Sequence, residues 1–361
     1  MVVKVAINGF GRIGRVFTRI AAKDPAVEIV AVNDLAFFDK KKGGVDGTWA
    51  AYLLRWDTVY GRYDLPVGLA GNALKIGGKS VQLLAEADPA KLPWKVLGVD
   101  VVVEATGVFR DPEKAGAHLK AGAKKVLITA PPRGEESAEV LQILWRVNEG
   151  QYLDRGKPDI VSAASCTTNS LGPVVKVLHE SFGIEYGFLT TVHGYTADQR
   201  LVDAAHSDLA RARAAAANII PTSTGAARSI PAIFPDLAGK LDGIAMRVPV
   251  PCGSVSDFVA KLKRPLPSSS SNPKEAMKEA LRALNDTFRE KAKGPLGEVM
   301  EVDEDPIVSS DVIARDRSCV VAVAYNMVLS KALDVVKVVA FYDNEWGYAA
   351  RLLDVAKFIV S

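Results

Sequence analysis

The chain has 361 residues, 48% of them hydrophobic, with 45 Lys and Arg against 42 Asp and Glu. That is enough to bury a large core, and the length points to two domains. A net charge of +3 gives no sign of a nucleic-acid or membrane partner, and no apolar run approaches the ~20 residues of a bilayer span. The three cysteines, Cys166, Cys252 and Cys319, form no CxxC pair, which argues against a disulfide framework or a zinc site. Met1 leads straight into a strand pattern without the layout of a signal peptide, so a soluble protein of the cytoplasm is expected.

Val2–Asn8 reads as a buried strand, and Gly9-Phe10-Gly11-Arg12-Ile13-Gly14 follows at once. Ile13, Val16, Phe17, Ile20 and Ala21 then make a helical apolar stripe. A glycine pattern of this kind means little alone. Between a strand and a helix it permits a tight turn, close backbone approach to a pyrophosphate and close helix–strand packing. The helix start then faces the anion. A second strand, Glu28–Val32, leads to Asn33-Asp34, and Asp34 stands twenty residues after Gly14, where a ribose-binding acid is expected. A dinucleotide domain is therefore predicted, although a turn Asp after a strand would read the same in isolation.

Lys40-Lys41-Lys42-Gly43-Gly44 reads as a solvated basic loop, and residues 74–84 as a small hairpin around Gly77-Gly78. The α/β rhythm resumes with a strand at 99–107 leading into a loop, a helix capped by Asp111-Pro112 and stopped by Gly122, and a strand at 125–131. Open sheets of this type bind ligands beyond the carboxyl ends of their strands, where Thr106, Gly107 and Thr129 fall. The run 158–162 then hands over to a helical segment through Ala163-Ala164-Ser165-Cys166-Thr167-Thr168-Asn169. A helix start favours a thiolate, so Cys166 is a candidate nucleophile with a lowered pKa, expected beside the nicotinamide end of the cofactor. A buried Cys acting as a small hydrophobe is the competing reading.

Beyond residue 180 the pattern changes to strands with one polar face, which predicts an antiparallel sheet covered by helices on its other face. His193 follows the strand 187–192, twenty-seven residues after Cys166, and is the best placed of four histidines to serve as its base. Arg200, Arg211 and Arg213 lie in the polar segment 194–218, and Arg247 interrupts the apolar strand 243–248. An Arg there needs an anionic partner, and Arg with hydroxyl and backbone N–H groups suits phosphate. Asn272-Pro273 caps a long amphipathic helix, and a strand at 335–342 leads through Asp343–Tyr348 into a last helix. Cys252 and Cys319 have no ligand-spaced partners and read as structural.

The stretches INGFGRIGR (7–15), ASCTTN (164–169), HGYT (193–196), PTSTGAA (221–227) and YDNEWGY (342–348) together resemble phosphorylating glyceraldehyde-3-phosphate dehydrogenases. The resemblance implies a Rossmann NAD-binding domain over 1–165, completed by a C-terminal helix at 344–361. It also implies an α+β catalytic domain with a mostly antiparallel sheet over 166–343, and a homotetramer. It implies conversion of D-glyceraldehyde 3-phosphate, NAD and inorganic phosphate into 1,3-bisphosphoglycerate, in glycolysis or gluconeogenesis. Cys166 would be the nucleophile and His193 the base. Thr196 and Arg247 would hold the substrate phosphate, while Ser165, Thr167, Thr224, Gly225 and Arg211 would surround inorganic phosphate. Arg12, Ile13, Asp34, Thr129 and Asn344 would contact the cofactor, and no metal is implied.

Five positions depart from the resemblance. Ser170 replaces a frequent second Cys, Ala87 replaces an Arg near the adenine, and Arg146 opens what is usually Gly-Val-Asn. Ala204-Ala205 replace Leu-Pro, a change associated with NADP use, while Asp34 favours NAD, so NADP is expected as a poorer substrate. An erythrose-4-phosphate dehydrogenase is the alternative within the enzymes, disfavoured by the Thr of HGYT and the STG of PTSTGAA. A semialdehyde dehydrogenase would lack these loops. An RNA-binding protein is disfavoured by the balanced charge and the lack of an aromatic–basic stripe.

Overall fold

A computed structural model describes residues 2–41, 43–329 and 331–361; Lys42 of the expected basic loop lies outside the described residues. The chain forms two compact units, Met1–Ala164 with Ala349–Ser361, and Ser165–Tyr348. The expected boundaries shift slightly. Ser165 goes with the second unit because its side chain caps the helix Cys166–Phe182. The C-terminal helix begins at Trp346 rather than 344, because Asp343 accepts the Glu345 and Trp346 N–H groups at 2.9 and 2.8 Å.

The first unit is a nine-stranded sheet in the order Leu141–Gln142, Ile160–Ser162, Lys125–Ile128, Val101–Glu104, Val3–Asn8, Val27–Asn33, Lys79–Leu84, Ala73–Ile76, Val67–Ala70. The pairs from Leu141–Gln142 across to Lys79–Leu84 are parallel. The hairpin expected at 74–84 adds the antiparallel edge. Val101–Glu104 is buried at every position, as a strand covered on both faces must be. The expected helix after Asp111 is real but interrupted: Pro112–Ala115 and Ala117–Lys120 flank Gly116. A Cβ at Gly116 would lie 3.2 Å from the carbonyl oxygens of Pro112 and Glu113. The edge strand Leu141–Gln142 has too few residues to show a period.

The second unit is an eight-stranded sheet. Its main path runs Ile220–Ser223, Leu241–Val248, Ile184–Gly194, Ser254–Leu262, Val335–Tyr342, Cys319–Ala322, Met300–Asp303, with Met327–Leu329 paired to Val335–Tyr342. Five of its pairs are antiparallel and two parallel. Burial alternates along Ser254–Leu262, so one face of this strand is solvated and the other packs inward. The helices Cys166–Phe182 and Pro273–Ala292 supply the apolar cover, the latter through Ala276, Ala280, Leu284 and Phe288. The expected cap is present: Asn272 accepts from the N–H groups of Lys274 and Glu275.

Candidate functional sites

In the first unit the glycines of the loop after Val3–Asn8 do three different jobs. Gly9 has φ +99, and a Cβ there would lie 2.7 Å from the Ala105 backbone. A Cβ on Gly14 would lie 2.2 Å from the Gly9 carbonyl oxygen, whereas one on Gly11 would meet nothing within 4 Å. Gly9 and Gly14 fold the loop. Gly11 leaves an open approach to the start of the helix Arg12–Ala21, whose cap receives no side-chain hydrogen bond. A cleft of ≈ 500 Å³ lies here, lined by Gly9, Gly11, Asp34, Leu35, Ala87 and Thr106 among others. The cradle fits a dinucleotide pyrophosphate.

Asp34 lines this cleft, but its carboxylate is already engaged. Oδ2 accepts the Phe10 N–H at 2.7 Å and Oδ1 the Ala36 N–H at 2.9 Å. One lone pair on each oxygen remains for ribose hydroxyls. Arg12 is ion-paired with Asp57 and lies 5.7 Å over the Tyr60 ring, so it is positioned by partners that the sequence did not reveal. Burial raises the Asp57 carboxyl, but Arg12 and the N–H groups of Tyr60 and Val59 hold it below the usual range. Thr129 donates through Oγ1 to the Glu104 carbonyl at 3.0 Å, and Gly107 has φ +72.

A buried network missed by sequence reasoning lies beneath the cleft. Trp94 Nε1 donates to His118 Nδ1 at 3.0 Å, which leaves the His118 proton on Nε2, 3.1 Å from Glu104 Oε2. Asn8 Nδ2 donates to that same oxygen at 2.6 Å, and Asn33 Nδ2 donates to Asn8 Oδ1 at 2.7 Å. The other Glu104 oxygen accepts the Thr106 N–H at 2.9 Å and the Thr106 hydroxyl. Four donors thus converge on one carboxyl group, tying the Asn33 loop to the Thr106 loop. Its only sequence signal is a polar residue, Asn8 or Glu104, ending an otherwise apolar strand.

In the second unit Cys166 is the first residue of its helix. Ser165, the cap, accepts the Thr168 N–H through Oγ at 3.0 Å. The preceding Ala164 has φ +55. Cys166 Sγ lies 3.5 Å from His193 Nε2 and 4.0 Å from Thr167 Oγ1. The His193 strand extends to Gly194 and pairs in parallel with Leu241–Val248, placing His193 level with Arg247. Arg247 Nη1 lies 2.8 Å from His193 Nδ1 and 3.1 Å from the Gly194 carbonyl oxygen. Among the described residues no carboxylate pairs with Arg247, and its buried Nε has no acceptor. The anionic partner expected from sequence is therefore not supplied by the chain.

The electrostatics correct one expectation. Burial pushes the Cys166 thiol up, outweighing Arg247 and the Thr167 hydrogen bonds that pull it down. Burial and then the Arg247 charge push the His193 imidazole down to about 3. The helix start alone does not deliver a thiolate here, because the cost of desolvating the charge is larger.

Tyr342, which the sequence reading left without a role, braces the site. Its hydroxyl lies 2.8 Å from Thr167 Oγ1 and 2.9 Å from Thr191 Oγ1, and its ring meets His193 edge-on at 6.0 Å. The other expected residues are held locally. Arg211 donates to Asp198 at 2.5 Å and to Thr222 Oγ1 at 3.0 Å. The Thr196 N–H donates to Gln199 Oε1 at 3.3 Å, and the buried Gln199 Nε2 has no acceptor. Thr224 Oγ1 accepts the Ala226 N–H at 3.2 Å, and Gly225 caps a single helical turn. Asn344 Oδ1 accepts from Ser254 Oγ at 2.8 Å.

Two departures find structural reasons. Ser170 Oγ lies 3.1 Å from Ser256 Oγ inside the core, a polar pair in place of a thiol. Arg146 has φ +63, a conformation that suits Gly, and it stacks 4.5 Å over Trp145 and pairs with Glu149 at 3.8 Å. Cys252 and Cys319 are buried and in no disulfide, Cys252 Sγ donating to Asp343 Oδ1 at 3.1 Å, and among the described residues no group of His, Cys, Asp and Glu could hold a metal ion.

Residues 3–112 match the family described as glyceraldehyde 3-phosphate dehydrogenase, NAD binding domain, and residues 165–344 match its C-terminal domain. The chain is 46% identical to glyceraldehyde-3-phosphate dehydrogenase 2 of Streptomyces arenae, covering 100% of this chain and 99% of that protein. It is 45% identical to glyceraldehyde-3-phosphate dehydrogenase of Geobacillus stearothermophilus, over 100% and 99% of the two chains. It is also 45% identical to the chloroplastic glyceraldehyde-3-phosphate dehydrogenase B of Pisum sativum, over 99% of this chain and 74% of that one. With a glycine cradle in one unit, a Cys–His pair in the other and this identity along its whole length, the chain belongs to the glyceraldehyde-3-phosphate dehydrogenase family.

Proposed function

We propose that Cys166 and His193 carry the oxidation of D-glyceraldehyde 3-phosphate to 1,3-bisphosphoglycerate in this NAD-dependent oxidoreductase. The observation that carries the assignment is the 3.5 Å approach of Cys166 Sγ to His193 Nε2, with Arg247 short of an acceptor behind the ring. Cys166 Sγ adds to the aldehyde carbon, and the thiol proton passes to the carbonyl oxygen to make the hemithioacetal hydroxyl. His193 Nε2 takes the proton of that hydroxyl, and loss of hydride from the carbon leaves a thioester on Sγ. Attack by inorganic phosphate on the thioester carbon then forms the acyl phosphate and expels the sulfur, which recovers its proton from His193 Nε2. NAD, when bound, supplies the hydride acceptor.

Within the first unit Gly9 and Gly14 fold the loop and Gly11 leaves room for the pyrophosphate, Asp34 keeps acceptor lone pairs for the ribose, and Arg12, Ile13, Thr106, Gly107 and Thr129 complete the cradle. In the second unit Asn344 is assigned to the cofactor by resemblance. Arg247, with Gln199 Nε2, which lacks an acceptor, on the amide that binds the Thr196 N–H, is suited to the substrate phosphate. Ser165, Thr167, Arg211, Thr224 and Gly225 are assigned to inorganic phosphate, of which Arg211 adds positive charge at both His193 and Arg247. Two anion sites are what a reaction with two phosphates requires. The names of the relatives favour glyceraldehyde 3-phosphate over erythrose 4-phosphate.

NADP serves as a poorer substrate in this reading, since Ala204 and Ala205 are small and exposed while Asp34 repels a 2′-phosphate. Leu201, Val202, Leu209 and Ile219 are 69–83% exposed on one polar segment, which supports burial against further copies in a homotetramer. Among the described residues no helix is long and apolar enough to cross a membrane, and a cytoplasmic location is proposed. The test is phosphate-dependent NADH formation from the aldehyde. Cys166→Ser should reduce it on the order of 10⁶-fold, as removal of a covalent nucleophile does elsewhere, while leaving circular dichroism and NAD affinity unchanged. Turnover within tenfold of wild type would remove Cys166 from the mechanism.

A further inference from the structure

The cleft of the first unit is lined by four stretches of chain, which contain Asn8, Asn33, Glu86 and Thr106. The buried network beneath it reaches all four, and its hydrogen bonds form three relays of donors. The first starts at Trp94 Nε1–H, passes through His118 and ends on Glu104 Oε2. The second starts at the Glu86 N–H, which Asn33 Oδ1 accepts at 2.8 Å. That fixes the Asn33 amide, whose Nδ2 donates to Asn8 Oδ1 at 2.7 Å and to the Glu86 carbonyl oxygen at 2.9 Å. Asn8 Nδ2 is then left to donate to Glu104 Oε2 at 2.6 Å. The third starts at the Val108 N–H, which Thr106 Oγ1 accepts at 3.0 Å while its own proton goes to Glu104 Oε1. The Thr106 N–H reaches that same oxygen at 2.9 Å.

The two relays onto Oε2 begin at N–H groups that only donate, so neither can run backwards. Oε1 faces a backbone N–H that is equally fixed. The group on which they meet must therefore accept on both of its oxygens, which a carboxylate does and an amide of the same shape does not. Asp34 takes its place from this arrangement. Its Oδ2 accepts the N–H of Phe10, two residues beyond Asn8, and its Oδ1 that of Ala36 on its own turn. The spacing of those two turns is set by the Asn8–Asn33 side-chain bond, beside the backbone bond from the Gly9 N–H to the Asn33 carbonyl oxygen at 2.8 Å.

We infer that Glu104 is a positioning residue for the cofactor: the relays that meet on its carboxylate hold Asp34 where the ribose hydroxyls arrive. Affinity for NAD, and the preference for NAD over NADP, thus depend on a side chain that is 1% exposed and is not among the lining residues of the cleft. His118 serves as its orienting donor. The inference rests on the reading of Asp34 as the ribose-binding acid.

The test is steady-state kinetics with NAD and with NADP on wild type, Asp34→Asn, Glu104→Gln and His118→Asn. Glu104→Gln keeps the shape, but its amide turns an N–H toward a donor in either orientation. KM for NAD should rise roughly tenfold and KM for NADP much less, so that the NAD-to-NADP ratio of kcat/KM falls. His118→Asn keeps the Glu104 carboxyl group and withdraws one relay. It should move the ratio the same way by less, and it decides alone should Glu104→Gln not fold. In both variants alkylation of Cys166 by iodoacetamide, which needs no cofactor, should keep its wild-type rate, a readout that general loosening of the fold would move. Equal losses for NAD and NADP would make the network structural only and overturn the inference. So would a ratio that responds to Glu104→Gln but not to His118→Asn, since charge alone would then be acting. If Asp34→Asn lowers the ratio and neither network variant does, the inference falls and the ribose reading stands. If Asp34→Asn leaves the ratio unchanged, the ribose reading falls and takes the inference with it.

Discussion

The two candidate sites are built on opposite principles. In the first unit the cradle is made of backbone, and its side chains are satisfied: Asp34 accepts two N–H groups, Arg12 has Asp57, and Glu104 receives four donors. In the second unit demands go unmet: an arginine without a carboxylate, an imidazole pressed by the arginine charge, a thiol raised by burial. A site that only binds gains from being finished before its ligand arrives. A site that moves protons must hold groups in states that the arriving substrate changes.

After Cys166→Ser, the largest expected effect again tests the second half of that contrast. His193→Asn should slow hydride transfer by ~10²–10⁴-fold, the usual range for a general base. The same variant should resist acid better. His193 is pushed down to about 3 in the fold from an ordinary value near 6.5, so the unfolded chain binds the extra proton between those values. Its contribution to stability is therefore complete above pH 6.5 and lost as pH falls. Between pH 7 and 5 wild type should lose about 2 kcal/mol more than the variant in denaturant melts. Parallel losses would place His193 in a wetter setting than described.

Arg247→Ala comes next. Removing a charged hydrogen-bonding partner of the phosphate should cost ~1.5–3 kcal/mol in kcat/KM for the phosphorylated aldehyde, and much less for plain glyceraldehyde. Equal losses for both would make Arg247 a structural residue. On the first unit, Asp34→Asn keeps one acceptor for the loop but removes the charge. It should improve kcat/KM for NADP and weaken it for NAD, each by roughly tenfold, or about 1.4 kcal/mol. If wild type already prefers NADP, Asp34 does not meet the ribose. The smallest effect belongs to Arg146→Gly. Relief of a left-handed residue is worth ~1–2 kcal/mol, part of which is offset by the freedom glycine has when unfolded, so a rise of a few degrees in Tm is expected.

Much of the fold was legible because it is local. Glycine spacing, apolar strands and the caps Asp111 and Asn272 each leave a signature within a few residues. Cys166 at a helix start and Arg247 interrupting an apolar strand were readable for the same reason. What escaped was whatever depends on partners distant in sequence. Tyr342 reaches Thr167 across 175 positions, His118 reaches Asn8 across 110, and Asp57 meets Arg12 across 45. The thiol was misjudged because a helix start is visible in sequence and burial is not. Arg146 stands where φ is +63, and a backbone angle has no letter in the sequence.

The bond from Trp94 to His118 also makes the first unit legible to light. Trp94 is 0% exposed, and its indole N–H ends the hydrogen-bonded chain that supports the Asn33 and Thr106 loops. Of the five tryptophans it is the one with no accessible surface, so the bluest and least quenchable emission belongs to it. Trp94 packs against Ala6, Ala31 and Val102 of the sheet, so a mutation or heating that loosens the floor of the cleft should change the polarity around that indole. The protein thus carries an optical gauge of its own dinucleotide cradle, readable without a label.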